Sequence, residues 1–99
     1  MKLWIDDVRP APEDYIWCVS VNESKDYIDL VERMAMSIEL IDIDHDAGDY
    51  SCDGGDYIKL LDWLEGTGRN YPIRIHSMNP VGVENMRRII QRNGWTEVR

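Results

Sequence analysis

The stretch Ile38-Glu39-Leu40-Ile41-Asp42-Ile43, followed directly by Asp44-His45-Asp46, is the most informative part of the sequence for the fold. Its nearly continuous apolar character predicts a central strand of a parallel sheet, because such strands are buried on both faces. Two other short apolar runs also stop abruptly at polar residues. They are Leu3–Ile5, followed by Asp6-Asp7, and Pro72–Ile75, followed by His76-Ser77. We therefore predict several parallel strands that end in polar side chains.

Helical patterns alternate with these strands. The predicted helices run from Val21 to Met34, from about Tyr57 to Gly66, and from Pro80 to Gly94, and further strands are predicted at Ile16–Val19 and Trp95–Val98. The first helix has a capping-box pattern, Ser20-Val21-Asn22-Glu23, and the last has an Asn-Pro start. The alternation predicts an α/β fold, a small three-layer sandwich with a mostly parallel sheet of four or five strands.

The connection between the first two predicted strands is too short for a regular unit of this fold. It spans nine residues, Asp7 to Tyr15, whereas a parallel crossover usually needs about a dozen or more. We therefore expect the first helix of the doubly wound pattern to be missing. The chain also leaves no room for a final helix after Trp95.

Length and charge exclude several classes of protein. Ninety-nine residues predict a single domain over 1–99, and a net charge of −8 argues against binding to double-stranded DNA or anionic membranes. No apolar run is long enough for a membrane helix or a signal peptide, so we expect a cytoplasmic protein. Cys18 and Cys52 lie too far apart for a metal-binding pair. Trp4, Trp17 and Trp63 are expected to fill the core rather than to stack on bases.

Ligands of open α/β sheets bind beyond the carboxyl ends of the strands, and the polar residues of this chain collect there. We predict that Asp6, Asp7 and Asp44 hold a divalent cation, because clustered carboxylates need one to stay ionised. The alternative is that these aspartates only face solvent, which we prefer for the Asp-rich loop from Asp49 to Asp56.

Both histidines fall on the same edge and could transfer protons near neutral pH. His76 is the stronger candidate, since it opens the polar run after a buried strand, whereas His45 has acidic neighbours and could simply be ion-paired. The N-terminus of the helix that starts at Asn79-Pro80 is a candidate phosphate-binding site. Gly82, in its first turn, indicates close approach of either a ligand or a packed strand.

Three segments together resemble the cyclic-phosphate-processing receiver domain family, a divergent relative of response-regulator receivers. The segments are Lys2–Pro12, Asp44–Gly48 and Ile75–Met86, so the resemblance spans nearly the whole chain. It implies a flavodoxin-like receiver fold, an acidic pair at Asp6 and Asp7, an aspartate at Asp44 and a hydroxyl at Ser77. It also implies a role in opening cyclic phosphate ends, in a repair or conflict setting. Asp42 and Ala47 differ from the residues expected beside the Asp-His-Asp motif.

The leading hypothesis is a metal-assisted phosphoesterase that acts on a nucleotide or an RNA end carrying a cyclic phosphate. Its predicted parts are catalytic His45, His76 and Asp46, a Mg²⁺ or Mn²⁺ ion on the three aspartates, and phosphate or substrate contacts from Arg9, Ser77, Asn79 and Asn85. Two alternatives stay open, a signalling receiver phosphorylated at Asp44 and a non-catalytic interaction module. The first is disfavoured because the chain lacks the lysine that signalling receivers place after a fifth strand. The sequence makes no prediction of oligomeric state.

Overall fold

The computed structural model describes all 99 residues, with four strands and three α-helices that alternate from the second strand onward. The strands are β1 (Lys2–Ile5), β2 (Tyr15–Cys18), β3 (Leu40–Ile43) and β4 (Ile73–Ile75). The helices are α1 (Val21–Arg33), α2 (Ile58–Gly66) and α3 (Pro80–Asn93), and a short 3₁₀ segment spans Gly48–Cys52. None of the helices is both long enough and apolar enough to span a membrane.

The sequence signals for helix ends are used as predicted. The Ser20 hydroxyl accepts a hydrogen bond from the amide of Glu23 and begins α1. The Asn79 side chain accepts one from the amide of Gly82 and begins α3, which ends at Gly94 in the left-handed conformation, with φ of 66°. These caps confirm the predicted start of both helices.

The four strands form one fully parallel sheet in the order β2-β1-β3-β4. This confirms the predicted parallel α/β architecture. No helix lies between β1 and β2, although these strands are parallel neighbours, so the short Asp7–Tyr15 connection replaces the first helix as expected. The predicted last strand, Trp95–Val98, is reduced to a single bridge between Glu97 and Ile73.

The helices all cover the same face of the sheet. After β2, each connection moves in one direction across the sheet, to β3, then β4, then Glu97, and right-handed crossovers in one direction place their helices on one side. The contacts agree, because α2 packs against both α1 and α3. The sandwich therefore has two layers, and the prediction of three was wrong. The crossover that would cover the second face is the one that lacks a helix.

A single core lies between the sheet and the helices. The strands contribute Leu3, Ile5, Ile41, Ile43 and Ile73, and the helices contribute mainly Ile28, Leu60, Leu61, Leu64, Met86 and Ile90. These strand residues alternate with side chains that belong to the other face, because successive strand residues point in opposite directions. We call that other face the open face. It carries Lys2, Trp4, Tyr15, Trp17, Leu40, Asp42 and Arg74.

Candidate functional site

The strand register brings three predicted residues together at one edge of the sheet. Ile5 pairs with Ile43, and Ile43 with Ile75, so the next residues along the three strands, Asp6, Asp44 and His76, lie side by side. One ligand atom from each of these three side chains lies within 4.8 Å of the others. Each of them lies two residues after a strand residue of the open face, namely Trp4, Asp42 and Arg74, so they lie at the rim of that face rather than above the core.

His76 is held between two carboxylates. Its Nδ1 lies 2.7 Å from Oδ1 of Asp42, and its Nε2 lies 2.9 Å from Oδ2 of Asp6. The imidazole also stacks on the indole of Trp4, with a centroid distance of 3.8 Å and an interplanar angle of 4°. The ring is therefore fixed in position and orientation on three sides.

The two carboxylates favour the charged form of this histidine. Burial by itself lowers the pKa of His76, but the hydrogen bonds and charges of Asp42 and Asp6 outweigh burial and raise the pKa above its ordinary value. Both ring nitrogens can then donate, one to each carboxylate. The positive charge favoured on His76 in this way offsets part of the negative charge of the acidic cluster.

Asp6 is fully buried yet stays ionised. Burial raises its pKa, but hydrogen bonds from the amides of Arg9 and Val8, together with His76, lower the pKa further than burial raises it. Both amides donate to the same Oδ1 at 2.9 Å, which fixes the turn after β1. The carboxylate therefore has one oxygen committed to the backbone and one facing the site.

Arg9 supplies a second cation to the cluster. Its guanidinium lies 3.7 Å from Asp6 and 3.9 Å from Asp44, and it donates to the carbonyl oxygen of His76 at 3.1 Å. Its side chain is 45% exposed, so it can also reach a ligand. The positive charges that the sequence suggested for a metal ion are supplied in part by Arg9 and His76.

Asp7, predicted as a metal ligand with Asp6, is not among the three clustered side chains. Its carboxylate lies over Gly48, whose φ is 53° and where a Cβ atom would collide with it. Burial, and the negative charges of Asp6, Asp44 and Asp46, raise the pKa of Asp7. Asp7 therefore lies against the loop that follows β3 and interacts with the cluster through charge alone.

His45 lies on the core side of the rim, whereas His76 lies on the side of the open face. Its ring packs against the backbone of Gly82, where a Cβ would collide with the imidazole, and its Nδ1 lies 2.8 Å from Asp46. Gly82 thus permits close packing between α3 and the loop after β3, which was one of its two sequence interpretations. Asp46 is 62% exposed and lies outside the cluster of Asp6, Asp44 and His76.

The start of α3 has less capacity for phosphate than the sequence suggested. Pro80 has no N–H, Asn79 already accepts from Gly82, and the amide of Val83 donates to the Asn79 carbonyl. Only the amide of Val81 is left among the first donors. The Ser77 hydroxyl accepts a hydrogen bond from the amide of Asn79. The Asn85 side chain accepts one from Arg88 and makes none to the cluster of Asp6, Asp44 and His76.

Two residues of the site were missed from the sequence as functional residues. Asp42 was noted only as unusual for its position, and Trp4 was expected to be ordinary core. A signal for Asp42 was present, since an aspartate inside an otherwise apolar central strand must find a partner when buried. The stack of Trp4 on His76 has no such signal, because it joins side chains 72 positions apart in the chain.

The donor atoms fit a divalent cation. Asp6 and Asp44 offer carboxylate oxygens, and His76 offers Nε2 in the neutral form of its ring, while Asp42 holds Nδ1 from behind, as carboxylates commonly do behind metal-binding histidines. One imidazole among carboxylates suits Mn²⁺, Fe²⁺ or Zn²⁺ better than Mg²⁺.

The site is a shallow rim rather than a deep cavity. The two surface clefts of the protein, of about 470 and 440 Å³, lie elsewhere, one beside Asn22 and Tyr27 and the other beside Asp29 and Arg69. A ligand end that fits the rim must therefore be small, or must extend away across the surface.

A two-layer α/β domain with an aspartate after each of its two central strands is a receiver-like domain. A family model described as cREC_REC, the cyclic-phosphate processing receiver domain, matches residues 1–92 of the chain. The protein belongs to this family, as the sequence motifs indicated. No curated protein and no solved structure matches it.

Proposed function

We propose that this protein is a phosphoesterase that hydrolyses cyclic phosphate ends of nucleotides or RNA. The family description links the domain to cyclic-phosphate processing. The observation that supports a catalytic role most directly is His76, a partly buried histidine held by Asp6 and Asp42 at the ligand-binding edge of the sheet. Titratable groups whose pKa is shifted by specific charged partners, and whose side chains are held in place, are typical of catalytic sites.

His76 is suited to be the proton donor of this reaction. In hydrolysis, the oxygen of water bonds to phosphorus, one of the two ribose P–O bonds breaks, and the departing ribose oxygen takes a proton. Asp42 and Asp6 raise the pKa of His76 and so favour the protonated ring, which can supply that proton. Asp42 and Trp4 hold the ring in place, and Asp44, less buried than Asp6, is positioned to take a proton from water.

Arg9 is the proposed ligand for the phosphate itself. Its guanidinium is half exposed and lies at the edge of the cluster, where it can balance charge that develops on phosphoryl oxygens. The Ser77 hydroxyl, which follows His76 directly, and the amide of Val81 in the first turn of α3 are the further donors that we propose. We assign Asn79 to capping α3. We give His45 and Asp46 a weaker role, since the His45 ring packs against Gly82 and Asp46 is paired with that ring.

A divalent cation, Mg²⁺ or Mn²⁺, is the proposed cofactor, with Asp6 and Asp44 as its ligands and Asp7 nearby, while His76 keeps its proton for the leaving oxygen. When bound, such an ion polarises phosphoryl oxygens and lowers the pKa of water. A protein of this kind would act on intracellular nucleotides or RNA, consistent with the expected cytoplasmic location.

Ring opening of a 2′,3′-cyclic mononucleotide, followed by phosphorus NMR, tests the proposal with Mn²⁺, with Mg²⁺ and with a chelator. We expect wild-type turnover and a loss of about 10²- to 10⁴-fold in His76→Gln. His45→Gln is the matched control, with a smaller loss expected. Equal activity in His76→Gln and wild type, or no turnover of any cyclic nucleotide by folded protein, contradicts the proposal.

A receiver-type switch is the second candidate because Asp44 occupies the position after β3. Incubation with acetyl phosphate followed by intact-mass measurement separates the two functions. Formation of a stable phosphoryl adduct that is lost in Asp44→Asn would favour the switch. We expect no adduct, since Arg9 rather than a lysine faces Asp44.

A further inference from the structure

We infer that the open face of the sheet binds unpaired nucleotides of a single-stranded RNA whose end occupies the candidate site. This inference rests on the proposed function and extends it from a cyclic phosphate to the strand that carries it. The juxtaposition behind it is an exposed aromatic and basic sheet face that runs directly into the rim holding Asp6 and His76.

The aromatic part of the open face is centred on Trp17. Trp17 lies on the edge strand β2 and its side chain is 41% exposed, which contradicts the sequence prediction of a core role. Trp4 pairs with it in the strand register, and Tyr15 packs edge-on against Trp4, at 84° and 5.9 Å. Exposed aromatic rings on a sheet are the usual platform for stacking of unpaired bases.

Hydrogen bonds tie this platform to the candidate site. The indole N–H of Trp17 donates to the carbonyl oxygen of Asp6 at 2.8 Å, and that of Trp4 donates to the carbonyl oxygen of Arg9 at 2.9 Å. Trp4, the register partner of Trp17, precedes Asp6 by two strand residues, which is about 7 Å along the sheet. A base on Trp17 therefore lies close enough to belong to the nucleotide at the rim or to its neighbour.

The charges of the open face complement a phosphate backbone even though the whole protein is acidic. Four of the eleven basic side chains, Lys2, Arg9, Arg74 and Arg99, lie on this face or beside it. Its one strand carboxylate, Asp42, is buried and already paired with His76 and Arg74. Arg9, Arg74 and Arg99 are loosely paired, since their guanidinium nitrogens lie 3.5–3.9 Å from carboxylate oxygens. On the helical side, by contrast, Arg69, Arg87 and Arg92 lie 2.8–2.9 Å from theirs.

These observations favour a flexible strand over a duplex or a protein partner. An aromatic face with nearby cations binds the faces of bases and the phosphate backbone at the same time. A duplex exposes its backbone but keeps the faces of its bases stacked on one another. The net charge of −8 weakens long-range attraction, so contact is expected only where the basic open face meets the strand.

Fluorescence anisotropy with a short, labelled, unpaired oligoribonucleotide that ends in a linear 3′-phosphate tests the inference without any reaction. Trp17→Leu should weaken binding at least about fivefold, the lower limit for one stacked base, and Trp17→Phe should keep most of the affinity. Arg74→Gln should weaken binding and reduce its salt dependence. Tyr50→Leu is the matched control, because Tyr50 is also 41% exposed but lies in the 3₁₀ segment.

Three results would overturn the inference. One is unchanged affinity in Trp17→Leu, with folding verified by urea unfolding. Another is binding of the duplex form of the same sequence as tightly as the single strand. The third is a dimer, seen by light scattering, that Trp17→Leu dissociates, because a second copy would then occupy the face.

Ring opening of the cyclic mononucleotide keeps this inference separate from the proposed function. Turnover without Trp17-dependent strand binding removes the open-face inference alone. Trp17-dependent binding without turnover removes the proposed function alone.

Discussion

The two faces of the sheet use the same four strands in opposite ways. The helix-covered face buries Leu3, Ile5, Ile41, Ile43 and Ile73 in one apolar core. The open face, built from the residues between them, carries tryptophans, a buried aspartate and arginines. In a regular doubly wound sheet both faces would need apolar side chains. The missing first crossover helix removes that requirement from one face, and polar and aromatic groups occupy it.

The comparison extends to the carboxyl edge of the strands, where the side chains of the two faces separate. Asp6, Asp44 and His76 lie on the open side, whereas His45 turns to the core side and packs on Gly82. At this edge, proximity in the sequence therefore does not show which side chains form a site together. Asp44 and His45 are neighbours in the chain and serve different parts of the molecule.

The largest effect on stability is expected from the covered face. Leu61 is fully buried in the core, so Leu61→Ala should lower the free energy of unfolding by about 2–5 kcal/mol through lost burial and the cavity left behind. Urea unfolding measures it. A cost below that of any open-face substitution would contradict the assignment of the core to this face.

The contact between Gly82 and His45 should be nearly as sensitive. Gly82→Ala inserts a methyl group where the His45 ring already lies, and we expect a loss of about 1–3 kcal/mol in unfolding free energy. Combining it with His45→Ala should recover much of that loss. Costs that simply add in the double variant would mean that the two residues do not touch.

Asp42 is the buried carboxylate that the central strand β3 contributes to the open face. Asp42→Asn keeps the shape but removes the charge that holds His76 and Arg74, and we expect a loss of about 1–3 kcal/mol. It should also lower turnover of the cyclic nucleotide, because His76 loses its support. Glu39→Gln, exposed at the start of β3, is the control. Equal unfolding free energies and equal turnover in the two variants would contradict the role of Asp42 in supporting His76.

The pH dependence of stability reports on His76 in the presence of a chelator. Because the folded pKa of His76 is raised, its contribution to stability is complete below the unfolded pKa, near 6.5, and is lost as pH rises through the folded pKa. Unfolding free energies measured from about pH 5 to about pH 8 should fall more steeply in wild type than in His76→Gln. His45→Gln should keep the wild-type slope. The same slope in all three proteins would rule out a stabilising imidazolium.

The smallest effect is expected on the open face itself. Trp17→Phe keeps an exposed ring and loses one hydrogen bond to the Asp6 carbonyl, so its cost should lie below about 1.5 kcal/mol. Comparison of its urea midpoint with that of Leu61→Ala contrasts the two faces directly. A loss as large as that of Leu61→Ala would show that the open face is part of the core.

Much of the architecture could be predicted from local patterns. The helix caps at Ser20 and Asn79, the apolar strands and the short Asp7–Tyr15 connection are all written in neighbouring residues, and each was placed within a few positions. The parallel sheet and the shared edge of Asp6, Asp44 and His76 follow from those strands by topology alone. The family also follows from these motifs.

Pairings between distant residues were not accessible in the same way. The sequence contains Asp42, Trp4 and His76, but only the strand register brings them together, since a shift by one residue would turn each side chain to the other face. The exposure of Trp17 likewise depends on a helix that is absent. Local periodicity encodes which segments become strands and helices. Packing across the sheet determines which polar groups meet and which aromatic rings remain in contact with water.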